Sequence, residues 1–189
     1  MLRLEPIIRT DIPYIAECRA AFSYHISPLA RLLRRHKQEP DLAERIGNGI
    51  QFGLLLARLW RAADWYADMV VCVPSAPERL AQRGYNPAEQ IALEFARLAA
   101  LPYHPAALIR VKNTAHQRTL RRDERLTAVA DAYKASASAV KHHRLILIDD
   151  VVTTGATLSA CGQALHSAGA LSVYSLCAAS VGKRRGKKM

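Results

Sequence analysis

Asp149 and Asp150 close the apolar run "LILI" at 145–148, and Thr153, Thr154, Gly155 and Thr157 follow within seven residues. A buried strand ending in two carboxylates places them at the mouth of a sheet. There they can accept hydrogen bonds from a sugar diol or hold a magnesium ion. Glycine permits a tight turn and a close backbone approach to a ligand. Backbone N–H groups at the start of a following helix, with threonine hydroxyls, can cradle a phosphate. Each feature alone is ordinary, since Asp-Asp can be a solvated strand end and Thr-Thr-Gly a turn. The whole run between a strand and a helix suits a sugar phosphate, with the diol on Asp149 and Asp150 and the phosphate on Thr153, Thr154, Gly155, Ala156 and Thr157.

The elements around this run must place it. "MVVCV" (69–73), "AALIRV" (106–111), "RLILI" (144–148) and "LSVYSLCAA" (171–179) read as short buried strands. Residues 86–100 read as a helix with Asn86 as N-cap and Pro87 in the first helical position. Residues 156–170 read as another, ending at Gly169. Asp41 and Glu44 have the spacing of a capping box for a helix whose apolar face is Leu42, Ile46, Ile50, Leu54 and Ala57. Strands alternating with amphipathic helices predict an α/β fold with a doubly wound, mostly parallel sheet, and ligands bind at the carboxyl ends of such strands. The first 40 residues carry no clear pattern beyond a basic helix or loop in "YHISPLARLLRRHK" (24–37). The expected organisation is an N-terminal helical segment over 1–65, a core over 66–182 and a basic disordered tail over 183–189.

Lysine and arginine number 27 against 16 aspartates and glutamates, a formal charge of +11 that favours polyanionic or phosphate-bearing partners. Cys18, Cys72, Cys161 and Cys177 are too dispersed for a zinc site, and the histidines show no metal spacing, so no zinc is expected. Unpaired cysteines and the lack of a signal-peptide pattern point to the cytoplasm, and no stretch is apolar for long enough to span a membrane.

The run "LILIDDVVTTGAT" resembles the phosphoribosyl-pyrophosphate signature of type I phosphoribosyltransferases. "VPSAPERLAQRGYNPAEQIA" (73–92) and "NTAHQRTLRRDERL" (113–126) narrow the resemblance to the ComF subfamily, related to bacterial competence and DNA-utilisation proteins. Pro74, Arg79, Arg83, Gly84, Tyr85 and Asn86 meet the first of these patterns, and Thr114, Gln117, Leu120 and Arg125 the second. The cysteine-rich zinc module of many ComF-like proteins has no counterpart here, and Leu126-Thr127 stands where an asparagine often follows the second motif's arginine. The resemblance implies the type I phosphoribosyltransferase fold with residues 1–65 as an N-terminal hood. It implies Asp149 and Asp150 on the ribose hydroxyls, 153–157 on the 5′-phosphate, and pyrophosphate at Ser75 with Arg79 or Arg83. It implies a flexible loop containing Gln117, Arg118, Arg121 and Arg125 that closes over the site. Magnesium would come with the phosphoribosyl pyrophosphate, with Asp149 and Asp150 as its protein candidates.

Three functions are consistent with this reading. One is transfer of a phosphoribosyl group with release of pyrophosphate, in DNA uptake or nucleotide metabolism. Another is non-catalytic sensing of phosphoribosyl pyrophosphate. The last is binding of single-stranded DNA, which the +11 charge and the subfamily resemblance suggest. The acceptor and the oligomeric state are not legible in the residues.

Overall fold

A computed structural model describes residues 6–25, 28–111 and 132–181. The strands are β1 (Ile7–Arg9), β2 (Cys18–Ser23), β3 (Met69–Cys72), β4 (Leu108–Arg110), β5 (Tyr133–Ala135), β6 (Arg144–Val152) and β7 (Ser172–Ser180). The helices are α1 (Leu29–His36), α2 (Leu42–Arg61), α3 (Pro77–Arg83), α4 (Pro87–Ala99), α5 (Ala137–Val140) and α6 (Ala156–Ser167). The main sheet has the order β1-β2-β7-β6-β3, parallel except for the antiparallel edge pair β1–β2. The fold is the α/β class expected.

Strand pleating divides the core. Leu145, Leu147 and Val173 face one side, where α6 contributes Leu158, Cys161 and Leu165. Ile146, Ile148 and Leu176 face the other, where Leu33, Phe52, Leu56, Ile91 and Phe95 of α1, α2 and α4 cover them. A sheet buried on both faces explains why β3 and β6 read as unbroken apolar runs.

Several expectations change. β2 lies in a stretch with no legible strand, because "CRAAFS" holds no β-branched residue. It becomes a strand through parallel pairing with β7, from Cys18 opposite Ser175 to Ser23 opposite Ser180. Leu108–Arg110 does not join the parallel sheet, but pairs antiparallel with β5 in a separate two-stranded sheet. Residues 77–83, assigned no helix, form α3, which begins at Pro77 and ends at Gly84 with φ 74°.

On α2, Leu42 and Leu54 are exposed and the buried stripe is Asn48, Gly49, Phe52, Gly53, Leu56, Ala57 and Leu59. The helix approaches α4 closely at its glycines, beside the Trp60–Phe95 ring contact at 6.0 Å. A Cβ on Gly53 would lie 2.8 Å from Glu94 Cβ, and one on Gly49 would lie 2.6 Å from Gln90 Cγ. Asp41 caps α2 as expected, accepting from the Glu44 N–H at 2.8 Å, but the Glu44 carboxylate takes Arg35 at 3.1 Å. None of the helices among the described residues is long and apolar enough to cross a membrane.

Candidate active site

β6 continues past the apolar run, so Asp149 and Asp150 lie within the strand rather than beyond it. Alternation sends their side chains to opposite faces. Asp149 is half-buried at the cavity wall, its Oδ1 accepting the Asp150 N–H at 2.8 Å. Burial, and then the charge of Asp150, push the Asp149 carboxyl well above the usual carboxylate range. Asp150 meets Lys37, at the end of α1, with Nζ 3.0 Å from Oδ2 and side chains only 22% and 17% exposed.

Beyond β6 the chain turns at Thr153, Thr154 and Gly155 and enters α6. Gly155 has φ 90°, in the left-handed region, and no side chain hydrogen-bonds the cap position. Thr154 Oγ1 accepts from the Ala156 N–H at 3.3 Å. A Cβ on Gly155 would lie 2.8 Å from Ile12 Cγ1. Glycine is therefore required by backbone conformation and by the packing of Ile12 behind the turn.

At the end of β3, Ser75 donates to Asn86 Oδ1 at 2.9 Å, and Asn86 Nδ2 donates to the Val73 carbonyl at 3.0 Å. Asn86 Oδ1 also accepts from the Ala88 N–H at 3.2 Å, as the N-cap of α4. One buried amide thus ties the 73–75 loop to a helix start, a role beyond the capping legible in the sequence. Arg79 and Arg83 stand one turn apart on α3.

These elements converge on a cavity of about 470 Å³ at the carboxyl ends of the parallel strands. It brings together Asp149, Asp150, Thr153 and Thr157 with Ser75, Arg79 and Arg83. Thr154, Gly155 and Ala156 lie between Thr153 and Thr157 in the same turn. Gln117, Arg118, Arg121 and Arg125 fall outside the described residues. Four further polar lining residues escaped the sequence reading: Tyr24 after β2, Lys37, and Arg110 and Tyr133 facing each other across the β4–β5 pair. The Arg110 guanidinium lies 5.5 Å from the Tyr133 ring centre, and burial first pushes the Tyr133 hydroxyl up to about 12. Only Arg110, the last cation before the basic 112–125 stretch, carried a hint of this in the sequence.

Lys37 yields a stability prediction. In Lys37→Met, Asp150 stays largely buried beside Asp149 without its cation. The loss should lie between those of exposed and buried pairs, about 1–3 kcal/mol. Urea unfolding measures it, and an unchanged midpoint would show that the pair contributes nothing.

The mostly parallel sheet carries adjacent acids, a threonine-glycine turn and a pair of arginines at its strand ends. The chain belongs to the phosphoribosyl transferase domain family, which matches residues 53–189. Within it the chain is a ComF-like type I member. It is 29% identical over 157 residues to competence protein F of Haemophilus influenzae, covering 77% of this chain and 65% of that protein. It is 26% identical over 160 residues to the DNA utilization protein YhgH of Escherichia coli K12, covering 84% and 69%. The match spans only about two thirds of either relative's length. Among solved structures, the glutamine phosphoribosylpyrophosphate amidotransferase of B. subtilis, complexed with ADP and GMP, superposes with a TM-score of 0.52 at 22% identity. That superposition covers 77% of this chain and 30% of the other. At that identity it bears on the fold alone.

Proposed function

We propose that the chain binds phosphoribosyl pyrophosphate with magnesium in this cavity and transfers the phosphoribosyl group to an acceptor, releasing pyrophosphate. The observation that carries the reading is the convergence of Asp149 and Asp150, the Thr153–Thr157 turn, and Arg79 with Arg83 on one cavity. In this reading the acids accept from the ribose 2′ and 3′ hydroxyls, and the turn and the α6 N-terminus hold the 5′-phosphate. Arg79 and Arg83, with Ser75, take the pyrophosphate, for which planar guanidinium groups are suited. Gln117, Arg118, Arg121 and Arg125 close over it. The chemistry is dissociation of the C1–O bond through an oxocarbenium-like transition state, so the residues contribute positioning and charge.

Among the described residues no group of three or more His, Cys, Asp or Glu side chains could hold a metal ion. In this reading magnesium comes with the substrate, taking its ligands from water and the substrate phosphates, with Asp149 or Asp150 as a protein carboxylate. When bound, it would neutralise charge on the leaving pyrophosphate. The setting proposed is the cytoplasm, in DNA uptake or utilisation or nucleotide metabolism.

Calorimetric titration with magnesium and phosphoribosyl pyrophosphate tests binding, and no binding would overturn the reading. Pyrophosphate release across a panel of bases and amines then tests turnover. Binding with no release for any acceptor would make the chain a sensor.

The +11 charge and the relatives' names favour a second reading, contact with single-stranded DNA. The tail "GKRRGKKM" holds five cations and no acid. Each phosphate neutralised adds ~0.7 to the slope of log affinity against log salt, so deleting residues 183–189 should lower the slope by about 3. Titration of labelled single strands at several salt concentrations measures this. An unchanged slope removes the tail from the interface, and no binding by the intact chain removes the DNA reading.

A further inference from the structure

We infer that Arg9 is a positioning residue for the phosphate turn, and that the N-terminal β1 segment thereby sets the affinity of the site for a sugar phosphate. The inference rests on the proposed role of residues 153–157. Arg9 closes β1, where it pairs with Cys18 of β2. Its guanidinium reaches 144 residues along the chain to donate from Nη1 to the Thr153 carbonyl at 2.9 Å, and from Nη2 to the Thr154 carbonyl at 3.1 Å. Asp11 holds the plane of the guanidinium from the other side, accepting from Nε at 2.9 Å and from Nη2 at 2.8 Å. The Arg9 side chain is only 17% exposed.

The consequence follows from peptide geometry. In a trans peptide the N–H points opposite to the C=O of the same unit. Fixing the carbonyls of Thr153 and Thr154 on Arg9 turns the N–H groups of Thr154 and Gly155 to the far side of those planes. The same segment supports the turn again through Ile12, which is 3% exposed and packs where a Gly155 side chain would stand. Arg9 and Ile12 therefore hold consecutive peptide units of the turn from behind. An anion-binding turn needs its N–H groups outward and its carbonyls withdrawn, because a carbonyl swung into the site opposes a phosphate. A turn already in that arrangement spends no binding energy on being ordered. The fork geometry of arginine, with donors on three nitrogens, is what lets one side chain span two carbonyls and a carboxylate.

The test compares ligands that use different parts of the cavity. In Arg9→Met, affinity for ribose 5-phosphate should fall about tenfold, while affinity for inorganic pyrophosphate stays at the parent value. Arg9→Lys should lose as much, because a point charge cannot hold both carbonyls. Asp11→Asn, which weakens the hold on the guanidinium and leaves the carbonyl contacts, should lose less, about threefold, and serves as the readout should neither Arg9 variant fold. Unchanged ribose 5-phosphate affinity in the Arg9 variants, or in Asp11→Asn where they do not fold, overturns the inference. So does an equal loss for both ligands, which marks general damage, and so does full retention by Arg9→Lys, which marks a simple cation. A parent protein that binds no ribose 5-phosphate defeats the proposed function itself, and this inference with it.

Discussion

Asp149→Asn combined with Asp150→Asn is expected to abolish binding of magnesium and phosphoribosyl pyrophosphate and leave the fold intact. Hydrogen bonds to a charged group contribute about 1.5–3 kcal/mol each, so losing one per acid weakens binding by about 3 kcal/mol or more, a factor above 100. Calorimetry on the double variant measures it, and parent-like affinity would end the phosphoribosyl reading. Asp149→Asn alone should do the opposite to stability. Burial raises the Asp149 pKa in the folded state above its unfolded value. Between the unfolded and the folded pKa, the folded chain then holds a proton that the unfolded chain has released. Stability from this group is complete below the unfolded pKa and is lost as pH rises towards the folded one. Asparagine lacks that loss, so its melting temperature should exceed the parent's at pH 7, with the gap shrinking towards pH 4. A gap that widens on acidification would contradict the assignment. A ligand-binding acid whose removal stabilises the fold fits the general conflict between site chemistry and stability.

Gly155→Val is expected to cost both stability and ligand binding. A branched residue at φ 90° is strained by about 1–3 kcal/mol, and its Cβ would stand 2.8 Å from Ile12 Cγ1 and 3.0 Å from Cδ1. Overpacking adds ~1–3 kcal/mol, so a loss of about 2–6 kcal/mol is expected in urea unfolding, with loss of ribose 5-phosphate binding. The residue type alone suggests that glycine is there to admit the ligand. The geometry instead points its missing side chain at Ile12. Ile12→Ala in the Gly155→Ala background separates the two accounts. Relief of the contact should recover part of the stability lost by Gly155→Ala alone, and no recovery would return the glycine to a ligand-clearance role.

The β4–β5 pair and the α1 terminus bring basic side chains to the cavity. Arg110 of β4 and Tyr133 of β5 stand on the cavity wall. Lys37 reaches the same cavity from the N-terminal segment and meets Asp150 there. The cavity thus has basic groups from the end of α1, from α3 and from the β4–β5 pair around one pair of acids.

Residues 145–158 were legible in the sequence because a strand end, two acids, a turn and a helix start are contiguous there, and contiguous residues constrain one another through local geometry. The same holds for the caps at Asp41 and Asn86, whose partners lie two or three residues away. Tertiary structure alone decided that "CRAAFS" is a sheet strand, since its pairing with β7 is more than 150 residues distant and overrides weak local preference. It also decided which face of α2 is buried. Periodicity marks long apolar residues, but two glycines let α4 approach so closely that the contact runs through the backbone. Arg9, Lys37, Arg110 and Tyr133 join the site for the same reason. Their positions depend on how distant segments pack, and a lone arginine, lysine or tyrosine looks alike in the sequence whether it meets solvent or a peptide carbonyl across the fold.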